Sequence, residues 1–160
     1  NPESDIRHGL RIAREYGLHP SFAVYEPGFA RLGATLHWRE ATPDTVYRMM
    51  FSSGFTFGFP PEDYAMTAYL NLLDQVAPGC NWMVSGLDVN VIPLIPRIVM
   101  EGGHVRVGLQ DAPFGSEKTN CELVEEAANA IELSGGDLAK AGEVRLAASS
   151  DKLEAMSSGI

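Results

Sequence analysis

The sequence has few of the features that identify a protein class directly. It contains no run of about 18 apolar residues and no charged-then-apolar leader, so we expect neither a membrane span nor export. Two cysteines, Cys80 and Cys121, are too few for a disulfide framework and too far apart for a metal-type pair. We therefore expect a cytoplasmic protein in which both cysteines are small buried residues.

Motifs of several common functional classes are missing as well. The sequence has no Ser/His/Asp set, no phosphate-cradling glycine loop and no zinc-type cysteine motif. His8, His19 and His37 have no partner at ligand spacing, and we expect them at the surface. There is no internal repeat and no low-complexity segment.

Positive charge is scarce. The formal net charge of -9 disfavours nucleic acid and anionic membranes as partners. A composition of 45% hydrophobic and 21% charged residues is ordinary for a globular protein, and 160 residues can bury one core. Acidity alone identifies no substrate.

The two ends of the chain carry different signals. The sequence opens without methionine at Asn1 and Pro2, a good helix start, so we expect a fragment or the ordered remainder of a longer protein. The polar residues 149–160 are expected to form a mobile tail, which leaves residues 1–148 as the folded unit.

Short apolar segments alternate with amphipathic helical segments along the chain. The predicted strands are residues 21–26, a segment within 50–57, residues 81–87 and residues 102–111. A capping box at Thr119 and Glu122 starts the helix after the last strand. The second helix has an apolar row at Phe29, Leu32 and Leu36, and Pro96 predicts an irregular start for the helix near residues 92–100. Strict alternation indicates βα units around a parallel sheet. Four strands suit half of a (β/α)₈ barrel, which when complete needs about 250 residues, or a small doubly wound sheet.

The last predicted strand has one apolar and one polar face. His104, Arg106 and Gln110 fall on one side because side chains alternate along a strand. An arginine in so apolar a segment must be solvated or paired, since an unpaired buried charge is costly. Asp111 follows at the strand end, the rim where barrel enzymes place active-site residues. From the residues alone, Arg106 also fits a structural ion pair and Asp111 a turn residue. For His104, at the lower end of the strand, we expect a structural role.

This GGHVRVGLQD segment resembles the GGHVRVGLED segment of the β-keto acid cleavage enzyme family, with one change at Gln110. Weaker matches follow in the same order: VYEPG at 24–28, GFP at 58–60, WMVSGL at 82–87 and the segment 120–128. The resemblance covers nearly the whole chain. It implies that residues 1–148 are the C-terminal half of one TIM-barrel domain, an α/β fold.

The resemblance also implies a reaction and its partners. The family converts a β-keto acid and acetyl-CoA into acetoacetate and a new acyl-CoA, using a divalent metal, usually zinc, held by two histidines from the first barrel strands. Those strands would lie outside this chain. We expect open sheet edges to pair with the missing N-terminal half-barrel or with another copy in a homo-oligomer.

Carried over by position, Asp111 matches the family's general base and Arg106 the arginine that holds it. Gln110 stands where the family has a metal-binding glutamate, and Ala23 where some members have an active-site glutamate. Glutamine is a neutral, weak zinc ligand, so metal binding should be weaker here or absent. Gln110 also fits a hydrogen-bonding role at the rim.

Two further residues are candidates for substrate binding. Glu26 ends the first strand and can reach the site, although a rim or capping role fits it equally. Ser52, with its neighbours Ser53 and Thr56, can orient a substrate carboxylate or serve as polar filler. The alternative function is a diverged barrel, impaired in catalysis, that binds a small organic acid. A third interpretation is an isolated half-barrel without function.

Overall fold

A computed structural model describes the backbone of residues 1–150 and the side chains of residues 1–145. The helices are α1 (Glu3–Glu15), α2 (Pro27–Glu40), α3 (Asp63–Val76), α4 (Ile95–Met100), α5 (Asn120–Leu133) and α6 (Ala141–Ser150), and a 3₁₀ turn over Ile92–Leu94 leads into α4. The strands are β1 (Ser21–Val24), β2 (Val46–Ser52), β3 (Asn81–Leu87) and β4 (His104–Val105). Of the predicted tail, residues 149 and 150 end α6, and residues 151–160 lie outside the described part.

All four strands are parallel and lie side by side in chain order. The core joins the helices to one face of this sheet: Val24, Tyr47, Met49, Phe51 and Val84 pack with helix residues such as Ala65, Met66, Tyr69, Leu73 and Ile98. Chain-order strands with their helical core on one side form the arc of a barrel, whereas a doubly wound sheet reverses its strand order. The half-barrel prediction therefore fits this topology better than the doubly wound alternative.

The opposite face of the sheet is the inner face of the arc. Strand alternation places Arg48, Met50 and Ser52 there, and the register aligns Met50 with Ser85 on β3. Ser52 and Ser85 are 6% and 0% exposed, so this face carries buried polar groups. Buried polar groups on an inner strand face are typical of a site rather than of a core.

The second strand was predicted too late in the sequence. It covers Val46–Ser52 instead of a segment within 50–57. Val46 and Tyr47 pair with both neighbouring strands, and the chain then leaves the sheet at Ser53. At Gly54 the backbone passes so close to Asp88 that a Cβ atom would collide with its side chain. The aromatic residues after Ser52 therefore lie in a loop.

The prediction of one strand over residues 102–111 was also wrong in extent. β4 is only His104–Val105, and the Arg106 N–H extends the pairing by donating to the Val84 carbonyl at 2.8 Å. The chain then turns at Gly108, whose φ of 151° is unusual for other residues, and the Asp111 N–H bonds the Gly108 carbonyl at 3.0 Å. Gln110 lies in this turn and is exposed, so strand alternation does not place it on the inner face.

Two smaller expectations were wrong. Phe29 and Leu32 of the predicted apolar row on α2 are exposed, because the smaller residues Ala30 and Gly33 face the sheet instead. Gly33 lies so close to the Phe22 ring that an added Cβ would sit 3.0 Å from it. The cysteines are not both buried either: Cys80 is partly exposed and Cys121 is exposed.

Other local predictions are confirmed. β3 covers Asn81–Leu87 as expected, and the two prolines of the α4 segment accompany the predicted irregular helix start. Thr119 and Glu122 form a complete capping box in which each side chain bonds the other residue's backbone. Among the described residues, no helix has the length and apolar character needed to cross a membrane.

Candidate active site

The candidate site lies at the carboxyl ends of the strands, on the inner face of the arc. The register pairs Val84 with Val105, so Ser85 and Arg106 are level with each other on adjacent strands. Asp111 follows in the turn after β4 and is 4% exposed. Three residues from two neighbouring strands and one turn therefore meet at this point.

The Asp111 carboxylate accepts three hydrogen bonds, all on the same oxygen. Arg106 donates to Oδ1 from Nε at 3.1 Å and from Nη2 at 2.5 Å. The buried Ser85 hydroxyl donates to the same Oδ1 at 2.5 Å. Charge-assisted bonds of this length are stronger than neutral ones and hold an ionised carboxylate in one orientation. Among the described residues, none donates to the second oxygen, Oδ2.

The backbone around Asp111 explains why the turn is fixed. The Val89 N–H donates to the Asp111 carbonyl at 3.3 Å, which ties the turn to the loop after β3. Gly86 allows this approach, because an added Cβ would sit 2.7 Å from the Asp111 carbonyl oxygen and 2.8 Å from that of Val89. The glycine of the WMVSGL segment therefore lets the turn pack on β3.

A second arginine lies on the same inner face and was not singled out from the sequence. Arg48 is level with Met83 on β3, one step below Ser85. Its Nε is buried and has no hydrogen-bond partner in the described part of the chain. Burial lowers the pKa of the Arg48 guanidinium, the positive charge of Arg106 lowers it further, and Tyr25 and Asp111 act in the opposite direction.

Ser52 lies on the same strand face, at the rim. Its hydroxyl is buried and unpartnered within the described residues. A buried hydroxyl without a partner costs free energy, so such a group is a candidate for contact with a bound molecule. The position fits the predicted role of Ser52 in holding a substrate carboxylate, which stays a prediction.

Glu26 lies at the start of α2, just beyond β1, and is exposed. Its carboxylate accepts a hydrogen bond from the Gly58 N–H at 2.9 Å. Glu26 therefore anchors the loop after β2, and its predicted contact with a substrate stays a prediction. His104 is exposed at the lower end of its strand, where a structural role was expected.

Four aromatic residues surround the rim above these groups. The Phe55 ring lies 5.3 Å from Phe57 and 6.2 Å from Phe114, and the Phe57 ring lies 5.8 Å from Tyr25. Phe55, Phe57 and Phe114 are all more than a third exposed. The loops after β1, β2 and β4 thus share one aromatic rim.

The described residues do not fit a metal centre on their own. They contain no group of three or more histidine, cysteine, aspartate or glutamate residues that could hold a metal ion. Gln110, the predicted ligand, is exposed in the turn. Its metal role stays a prediction that would require ligands from outside these residues.

Known proteins resemble the chain over most of its length. A model of the family described as "beta-keto acid cleavage enzyme" matches residues 1–148. The chain is 26% identical over 150 residues to "3-dehydrocarnitine:acetyl-CoA trimethylamine transferase" of Rhizobium meliloti (strain 1021), covering 91% of this chain and 48% of that protein. It is 24% identical over 149 residues to "3-keto-5-aminohexanoate cleavage enzyme" of Fusobacterium nucleatum subsp. nucleatum, covering 91% and 53%. The chain spans about half the length of these curated relatives.

Proposed function

Because the chain belongs to the beta-keto acid cleavage enzyme family, we propose that it supplies the proton-transfer group of an enzyme that acts on a β-keto acid and acetyl-CoA. Its parallel sheet is part of that family's (β/α)₈ barrel. The proposed products are acetoacetate and a new acyl-CoA. The keto acid loses its acyl group from C2 to the CoA thiol, and the acetyl group takes its place, so no water is consumed.

The observation that carries the proposal is the asymmetric hydrogen bonding of Asp111. Arg106 and Ser85 hold Oδ1, while Oδ2 receives no hydrogen bond from the described residues. A carboxylate fixed on one oxygen can present the other to a substrate carbon without losing its orientation. The burial of Asp111 keeps bulk water from competing for the proton.

In the proposed reaction, Asp111 takes a proton from C2 of the keto acid, the carbon between its carbonyl and its carboxylate. It returns this proton to C2 when the bond between C2 and the original acyl carbon has broken. Arg106 is a positioning residue, because both of its donating nitrogens contact Asp111. The Ser85 hydroxyl fixes the same oxygen from the neighbouring strand. We assign the substrate carboxylate to Ser52 at the rim, where its unpartnered hydroxyl is available to donate.

Zinc is the cofactor that the resemblance implies, and it would polarise the keto group when bound. The described residues do not form its site. We therefore assign no step to it, and restrict the roles above to this chain's own groups.

The test is a turnover assay of the full-length protein with acetyl-CoA and a panel of β-keto acids, with acetoacetate as the product measured. The proposal expects acetoacetate to accumulate in step with one acyl-CoA. Binding of the keto acids without any acetoacetate would contradict it and would favour the diverged, catalytically impaired barrel. Omission of acetyl-CoA is the control, because the proposed exchange stops without it.

A further inference from the structure

Arg48 is a charged group for which the proposed reaction has no use. It lies on the inner face of β2, and no described residue forms a hydrogen bond or an ion pair with it. The other arginine on this face, Arg106, is neutralised by Asp111. The described charged groups of Arg48, Arg106 and Asp111 therefore leave one positive charge on this face.

The Arg48 side chain is partly exposed, but a guanidinium with a buried, unpartnered nitrogen is still costly. Its Nε is buried, and burial and the nearby Arg106 both disfavour its charged form. A bound anion would remove this cost, because it would satisfy the buried donor and neutralise the remaining charge. A carboxylate is an anion of this kind, because its oxygens accept charge-assisted hydrogen bonds from a guanidinium.

The place of Arg48 relative to Asp111 restricts which carboxylate this can be. Arg48 starts one inner-face step below Ser85, which at strand rise is about 6.6 Å deeper in the arc. Asp111 forms its ion pair with Arg106 and none with Arg48. The C1 carboxylate of the substrate, in contrast, would lie close to Asp111, because C1 is bonded to the carbon that Asp111 would deprotonate. An acid group several bonds beyond the keto carbon fits this separation better than the C1 carboxylate does.

Ser52 completes a line of groups along β2. It lies four residues after Arg48 on the same face, so the two backbones are about 13 Å apart along the strand. The long arginine side chain can shorten the distance between the two polar groups. The catalytic Asp111 lies between the two levels, beside Ser85. A chain with an acid at each end can therefore contact Ser52, Asp111 and Arg48 in turn.

We propose that Arg48 binds a second carboxylate at the end of the substrate remote from C1, so that the preferred β-keto acid is a dicarboxylate. This inference rests on the proposed function for the identity of the substrate. Arg48 then determines specificity and takes no part in proton transfer. Ala23, its register neighbour on β1, has a small side chain.

The test compares two six-carbon substrates in the full-length protein, 3-oxohexanedioate and 3-oxohexanoate, which differ only in the terminal carboxylate. Loss of one partner of a buried charge pair typically changes affinity by about 30-fold or more. We expect the wild type to favour the dioate by at least about 30-fold in kcat/KM. Arg48→Met should abolish this preference through KM, and Arg48→Lys should retain part of it.

Arg97→Met is the matched control, because it removes an arginine whose ion pairs with Asp63 and Glu101 lie on the helices. It should leave the substrate preference unchanged. Equal activity of the wild type with both substrates, or equal losses for both in Arg48→Met, would overturn the inference.

A binding measurement separates this inference from the proposed reaction. Calorimetric titration of the wild type with hexanedioate and hexanoate requires no turnover and no folded variant. Tighter binding of the dioate, without acetoacetate formation from either keto acid, would contradict the proposed function alone. Equal binding of the two acids would reject the role of Arg48 even in an active enzyme.

Discussion

At the scale of single residues, Asp111 is held from one side by two different kinds of donor. Arg106 supplies charge and two N–H groups, and Ser85 supplies a hydroxyl from the adjacent strand. Asp111 is nearly fully buried, while the Arg106 side chain is 31% exposed. The carboxylate of this pair is therefore buried, although its arginine is partly exposed. Removal of the arginine should lower the free energy of unfolding by more than the loss of a surface ion pair would.

Replacement of Arg106 tests this arrangement. We expect Arg106→Met to lower the free energy of unfolding by about 2–4 kcal/mol, since it leaves a buried carboxylate with Ser85 as its remaining side-chain donor. Arg106→Lys keeps the charge but loses the contact through two nitrogens. It should therefore be more stable than Arg106→Met, but its kcat should still be lower than that of the wild type. Urea unfolding and steady-state kinetics measure the two effects. Equal stability of Arg106→Met and the wild type would show that the pair does not hold Asp111.

Single residues also show what the sequence could and could not predict. The Arg106 and Asp111 pair follows from a charged residue in an apolar segment and from the family motif around it. Arg48 is a charge in an equally apolar segment, but it fell outside the strand predicted within 50–57 and so had no face assigned. The contact of Ser85 with Asp111 could not be predicted from the sequence. A serine within a buried strand has no distinctive pattern until the residue beside it on the neighbouring strand is known.

At the scale of elements, local signals succeeded where they depend on one segment alone. The capping box of α5 and the irregular start of α4 need only residues a few positions apart. The limits of β2 and β4 depend on pairing with strands far along the chain and on close contacts at Gly54 and Gly108. Such contacts are not visible in sequence periodicity, which is why β2 was predicted too late in the sequence and β4 was predicted too long.

The capping box gives a pH-dependent prediction. Hydrogen bonds from the Thr119 backbone N–H and hydroxyl lower the pKa of Glu122 below its ordinary value. A carboxylate with a lowered pKa in the folded state stabilises the fold above its ordinary pKa of about 4.3, and this contribution is lost as the pH falls through the folded-state value. Glu122→Gln should therefore melt at a lower temperature than the wild type at pH 7, and the difference should shrink as the pH falls below about 4.3.

Thermal melts across this pH range check the capping prediction. Glu125→Gln is the control, because it removes the same charge from the same exposed helix but does not touch Thr119. It should show no such loss with pH. A melting-temperature difference for Glu122→Gln that stays constant from pH 7 to pH 3 would show that the charge of Glu122 does not contribute.

At the scale of the whole molecule, the chain is an arc of parallel strands in chain order with one helical face and one polar inner face. The alternation of strands and helices predicted this class of fold, and the family match over residues 1–148 agrees with it. The strand order could not be read from the segments themselves, because alternation also fits a doubly wound sheet. The inner face became assignable once the register had placed Arg48, Ser85 and Arg106 on the same side of the sheet.

Asp111 transfers the proton in the proposed reaction, and one substitution tests this role directly. Asp111→Asn in the full-length protein keeps the shape of the side chain and removes the base. We predict a loss of at least about 10³-fold in kcat for acetoacetate formation, with a circular dichroism spectrum like that of the wild type. Asp74→Asn, the same exchange on the exposed side of α3, should keep full activity. Full activity of Asp111→Asn would contradict the account.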